Sequence, residues 1–134
     1  MGYGFRSIAI KSTTLSPPIW EIMNGANHDM RQMTATELNQ RLQQGEPLPL
    51  LLDVREPHEF QYCLIPGSIN IPMHQVPTMF AELDAQRETV VICHHGMRSA
   101  QVAHFLSGKG FNVVNLTGGV AAWAGQVDPS MPTY

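Results

Sequence analysis

Four short segments of the chain are apolar almost throughout, and the stretches between two of them repeat apolar residues at helical spacing. Leu50-Leu51-Leu52-Asp53-Val54, with a single acid near its end, has the composition of a strand buried on both faces of a parallel sheet. Ile69-Asn70-Ile71, Thr89-Val90-Val91-Ile92 and Val113-Val114-Asn115-Leu116 read as three further strands, rich in β-branched residues. Before the first of these, Thr34-Ala35-Thr36-Glu37 is a capping box, Leu38 and Leu42 share a helical face, and Gly45 with Pro47 ends the helix. Pro57 suits the first turn of a small helix holding His58, Glu59 and Phe60, and Pro77 opens another with Phe80 and Leu83 on one side. A helix over 99–107 places Val102, Ala103 and Leu106 together, with Gly108 and Gly110 to stop it. Strands alternating with helices predict an α/β fold with a mostly parallel sheet.

Residues 1–29 have no sustained period. Ser16-Pro17-Pro18 and Asn24-Gly25 are turn signals around one short apolar piece, Ile19 to Met23. The division expected is an N-terminal extension over 1–29 and one domain over 30–134; the alternative is a non-native start upstream of Met30. With 134 residues, 43% of them hydrophobic, there is material for one real core and little more. No apolar run approaches the roughly 20 residues a bilayer needs. A net charge of −3 offers no basic surface for nucleic acid. Two cysteines and no secretory leader point to a reducing, cytoplasmic setting.

The chemistry concentrates where the strand Val90-Val91-Ile92 runs into Cys93-His94-His95-Gly96-Met97-Arg98-Ser99. This pattern places a thiol just outside the carboxyl end of a buried strand, where open α/β sheets bind ligands. A tight loop feeding a helix N-terminus aims successive backbone N–H groups at one spot and favours an anion there. The thiolate is itself such an anion, and the helix start with Arg98 beside it should lower the thiol pKa from about 8.5 towards neutrality. His94 and His95 sit at the loop's outer edge as part-time cations, either helping to hold an anionic ligand or simply exposed; adjacent side chains should diverge. A metal site at Cys93, His94, His95 and His104 is disfavoured, because their spacing does not let ligand side chains converge. Asp53 and Arg55, at the end of their strand, read with Glu59 as a charge-paired scaffold rather than as catalysts. Cys63 reads as a small buried residue, with a resolving thiol as the alternative.

These residues lie in four segments that together resemble the rhodanese family of sulfurtransferases over roughly Met30 to Tyr134. The segments are Leu52-Asp53-Val54-Arg55-Glu56 with Glu59 and Phe60; Ile65-Pro66-Gly67-Ser68-Ile69-Asn70-Ile71-Pro72; the loop from Cys93 to Ser99; and Gly118-Gly119-Val120-Ala121-Ala122-Trp123. The resemblance implies a rhodanese-like central sheet of about five strands with helices on both faces. It also implies sulfane-sulfur transfer through a persulfide on Cys93, with no cofactor. The donor would be a small anion such as thiosulfate, or a persulfide, held by the loop residues His94, His95, Gly96, Met97, Arg98 and Ser99. The acceptor would be a thiol, cyanide or a thioredoxin-like or other sulfur-acceptor protein. The chain departs from the family pattern in carrying Cys63-Leu64 where Gly-His often precedes Ile-Pro-Gly, so any role of that histidine is lost. Gly118 and Gly119 are expected to form a turn beside the active loop, and Trp123 to be a core residue. Two other functions fit the same resemblance: a non-catalytic binding or sensing module, against which the retained Cys93 argues, and a persulfide carrier for a dedicated partner.

Overall fold

The computed structural model describes residues 30–134, so the expectations for 1–29, including the Ile19 to Met23 piece, lie outside the described residues. The order of elements is β1 (Arg31–Met33), α1 (Ala35–Gln43), β2 (Leu50–Asp53), α2 (Pro57–Tyr62), β3 (Ile69–Asn70), α3 (Val76–Met79), β4 (Thr89–Ile92), α4 (Met97–Gly108), β5 (Val113–Leu116) and α5 (Gly119–Gln126). Five strands form one parallel sheet in the order β1-β5-β4-β2-β3. This is the α/β architecture that the alternating pattern predicts.

Strands β2, β4 and β5 bury side chains on both faces, since consecutive side chains point to opposite sides of a sheet, whereas β3 lies at the edge with Ile69 exposed. Leu51, Val90, Ile92, Val114 and Leu116 join Leu38 of α1 and Val120 and Trp123 of α5 in one core. Leu52, Val91, Cys93 and Val113 face the other way, onto Val102, Ala103 and Leu106 of α4 and Val76 of α3. Each fully buried Val or Leu contributes roughly 1.5–3 kcal/mol, which makes β4 and β5, both buried at every position, the axis of the domain. The Thr34–Glu37 capping box is present at the start of α1, with both reciprocal hydrogen bonds formed.

Four local expectations change. The helix expected over 99–107 begins two residues earlier, at Met97, and runs through Gly108; the glycine that turns left-handed after it is Gly110, φ +88°. The single helix expected after Pro77 is instead two 3-10 turns, Met73–Gln75 and Phe80–Glu82, on either side of the four-residue α3. Phe80 is pinned edge-on between Phe105 and Phe111, with ring centroids at 5.4 and 6.2 Å. The strand β1, short and largely exposed on the sheet edge, carries no periodic signal. Gly118 and Gly119 do turn the chain beside the Cys93 loop, but they also start α5, which the sequence pattern does not reveal.

Candidate active site

Cys93 follows β4 immediately and is 1% exposed. After it the chain turns sharply at Gly96, whose φ of +102° lies in the left-handed region, and enters α4 at Met97. That conformation favours glycine, and a side chain there would also press on the backbone of Leu116 and Gly118. The turn brings the Gly96 N–H to 3.1 Å from Cys93 Sγ, so a backbone donor faces the sulfur. Met97, at the mouth of the loop, is 76% exposed.

The outer side of the loop is held by α5. Val120 N–H donates to the Cys93 carbonyl at 2.9 Å and Ala121 N–H to the His94 carbonyl at 3.0 Å. The first turn of a helix has N–H groups with no partner inside the helix, and here the loop's carbonyls take them. With those carbonyls turned outward towards α5, the loop keeps its amide side for the sulfur. The approach is so close that a Cβ on Gly119, φ +57°, would collide with the Cys93 and His94 carbonyl oxygens.

Arg98 leaves the loop towards α2. Its Nη1 and Nη2 donate to Glu59 Oε1 and Oε2 at 2.8 and 3.0 Å, a two-pronged ion pair. That hydrogen bond is the main reason the Glu59 carboxyl is held down at about 2, against the upward push of burial; the Glu56 N–H and the Tyr134 hydroxyl also stabilise its charge. Glu59 in turn raises Arg98 above its usual value, and Arg98 is near enough to Cys93 for the two to interact electrostatically. The expected scaffold of Asp53, Arg55 and Glu59 therefore splits. Asp53 and Arg55, both fully buried, pair at 2.7 Å, whereas the Glu59 carboxylate serves Arg98 and only its backbone carbonyl meets Arg55, at 3.3 Å. Arg55 also donates to the Cys63 carbonyl at 2.6 Å, to Cys63 Sγ at 3.8 Å and to the Tyr134 hydroxyl at 2.9 Å. Burial pulls its guanidinium down, but the Asp53 and Tyr134 hydrogen bonds outweigh that and leave it above its ordinary value. Cys63 is buried, and both cysteines are free thiols.

His94 and His95 do not diverge. Their rings stack at 4.1 Å and 20°, and His94 stacks again on Tyr134 at 4.1 Å and 21°. Burial, then the charges of His95, Arg55 and Arg98, push the His94 imidazole below its usual value despite Glu59. Tyr134 is thus part of the site, touching His94, Arg55 and Glu59, and its position two residues after Pro132 gave no hint of this. With Glu59, His58 and Tyr62 it lines a cavity of about 480 Å³ beside the ion pair. Ser99 and Asn115 complete the floor: Cys93 Sγ lies 3.3 Å from Ser99 Oγ, which donates to Asn115 Oδ1 at 2.5 Å. Asn115 had a legible signal, a lone amide inside an apolar strand. Among the described residues, no group of three or more His, Cys, Asp or Glu side chains is arranged to hold a metal ion.

A parallel five-stranded sheet with a cysteine loop cradled between two helix starts defines a class, and comparison with known proteins identifies it. The rhodanese-like domain family matches residues 34–126, and the chain belongs to that family. A sulfurtransferase from Allochromatium vinosum is 36% identical over 71% of this chain and 89% of its own length. A rhodanese-like/PpiC domain-containing protein 12, chloroplastic, from Arabidopsis thaliana is 43% identical over 63% of this chain, which spans only 30% of that longer protein. The crystal structure of a rhodanese-like domain protein from Staphylococcus aureus superposes with a TM-score of 0.68 at 30% identity, covering 78% of this chain and 99% of that one. Among the described residues, no helix is long and apolar enough to cross a membrane.

Proposed function

We propose that the protein is a sulfurtransferase that carries sulfane sulfur as a persulfide on Cys93. The observation that carries this reading is the Gly96 N–H aimed at Cys93 Sγ from a loop whose carbonyls are engaged by α5. Such a cradle suits an anion on sulfur. The Cys93 thiolate attacks the outer sulfur of a donor such as thiosulfate; a new S–S bond forms to Cys93, the bond to the sulfonate sulfur breaks, and sulfite leaves with its electron pair. The outer sulfur now bears the negative charge and lies against the loop amides. A second nucleophile, a thiolate or cyanide, attacks that sulfur, and Cys93 leaves as thiolate, ready for another cycle. Family membership and the sulfurtransferase relative support sulfur transfer as the reaction class.

Arg98 has both Nη groups on Glu59, so in this reading it supplies a fixed positive field near the sulfur, and the loop amides hold the donor's oxygens. His94 and His95, stacked at the rim with Tyr134, border the approach used by the acceptor. The cysteine-to-arginine loop is short: it surrounds a single added sulfur atom rather than a whole phosphoryl group. Thiosulfate-dependent sulfur transfer and aryl phosphate hydrolysis, assayed on one preparation with Cys93→Ser as the blank, test the reading. Transfer without phosphatase turnover is expected. Cys93-dependent phosphatase turnover exceeding sulfur transfer would overturn the proposal.

A further inference from the structure

Beneath Cys93 lies a chain of polar groups in an otherwise apolar layer. Ser99 is fully buried and Asn115 is 4% exposed, in the middle of β5. The Asn115 amide nitrogen donates to the Gly96 carbonyl at 3.2 Å and to Gln32 Oε1 on β1 at 3.1 Å. The Gly96 carbonyl accepts only, so it fixes which end of the Asn115 amide is which: the NH2 faces Gly96, and the carbonyl oxygen must face Ser99. Asn115 Oδ1 then takes the single proton of the Ser99 hydroxyl, through a short contact of 2.5 Å. What Ser99 has left to show Cys93 Sγ, 3.3 Å away, is a lone pair.

We infer that Asn115 is a positioning residue for sulfur chemistry at Cys93: it holds the Ser99 hydroxyl turned away from the sulfur, so that Ser99 accepts from the thiol and stabilises the resting S–H. This deepens the proposed function and rests on Cys93 being its nucleophile. For the hydroxyl to donate to a thiolate or persulfide, it must rotate and give up Asn115. Ionisation of Cys93 is therefore coupled to a hydroxyl rotation whose cost Asn115 sets, and the Gly96 N–H is the donor already in place for the anion. A buried polar chain in which every hydrogen is assigned by one fixed acceptor leaves little freedom for any other orientation.

The test is a double-mutant cycle read as the rate of Cys93 alkylation against pH, in the Cys63→Ser background so that one thiol reports. Other charged and titratable groups around the loop are Arg98 and Glu59 as a pair, Asp53 and Arg55 beneath them, and His94, His95 and Tyr134 at the rim. All are kept in every variant compared. Asn115→Val suits a buried strand and removes the acceptor, freeing the Ser99 hydroxyl to donate to the thiolate. Its alkylation profile should move to lower pH by about one unit, the scale of one hydrogen bond to a charged group. In Ser99→Ala, adding Asn115→Val should produce no such move. An unchanged profile, a move to higher pH, or the same move with and without Ser99 would overturn the inference. Should Asn115→Val fail to fold, the S–H stretching band of Cys93 decides without it. The inference expects the band to lie at the lower frequency of a donating thiol and to rise in Ser99→Ala; a band unmoved by Ser99→Ala would overturn it. Failure of the parent reading looks different, since a Cys93 that accepts no sulfur from any donor still reports the direction of the Ser99 hydroxyl.

Discussion

Replacing Glu59 by Gln isolates one charge in this site. Glutamine can still accept the Glu56 N–H as the third residue of α2, so the helix start survives, while the two charge-assisted bonds from Arg98 lose their anion. The carboxyl falls from 4.5 to about 2 on folding, which at about 1.4 kcal/mol per unit is worth up to ~3 kcal/mol. The Glu59 side chain is 12% exposed but Arg98 is 36% exposed, and screening there brings the expected loss nearer ~2 kcal/mol. That corresponds to a fall in melting temperature of roughly 8 °C for a domain of this size. The pH dependence has a definite sign. Because the folded-state value is depressed, the stabilisation is complete above the unfolded value of 4.5 and is lost as pH falls towards 2. Urea denaturation of both proteins at a series of pH values between 7 and 2.5 measures it. The difference between them should be ~2 kcal/mol at neutral pH and less than half of that by about pH 3. A difference that stays constant over this range, or is absent at pH 7, would refute the assignment of Glu59 as the charged partner of Arg98.

Gly119→Ala should cost about 2 kcal/mol or more and abolish sulfur transfer, since its Cβ strikes the Cys93 and His94 carbonyls that α5 caps; thermal melting and transfer rate together check this. Asp53→Asn leaves the buried Arg55 guanidinium without its counter-charge and should destabilise the fold by about 3–5 kcal/mol, read by urea denaturation. Tyr134→Phe keeps the stack on His94 but removes hydrogen bonds to Arg55 and Glu59, so a stability loss of about 1–2 kcal/mol with little change in transfer rate is expected from the same pair of assays.

Strands β2, β4 and β5 were legible because a strand buried on both faces needs no periodicity, only a nearly continuous apolar run, and the tails of β2 and β4 led directly to Asp53 and Cys93. The α1 boundary was legible because its capping box is a local device. Helix α5 was hidden for the opposite reason. Its alanines favour helix, but Gly119, Gly125 and the β-branched Val120 work against it, each glycine costing up to ~1 kcal/mol, and its start is fixed by the Cys93 and His94 carbonyls that meet its first turn and by the burial of Trp123. Strand β1 exists only by pairing with β5, a partner more than eighty residues away. In the site, Cys93, the loop and its glycine followed from spacing along the chain. The partner of Arg98 did not, because Glu59 lies thirty-nine residues earlier and two carboxylates competed for two guanidinium groups. The stacking of His94 on Tyr134 did not follow either, because Tyr134 lies forty residues further along the chain.

Sulfur transfer through Cys93 is tested most directly by the intact mass of the protein after exposure to thiosulfate or a persulfide donor, measured before and after reductant. Wild type and Cys63→Ser should each gain one sulfur atom, removed by the reductant, and a folded Cys93→Ser should gain none. A sulfur adduct that persists in Cys93→Ser, or that disappears in a folded Cys63→Ser, would contradict the assignment of Cys93 as the sulfur-carrying residue.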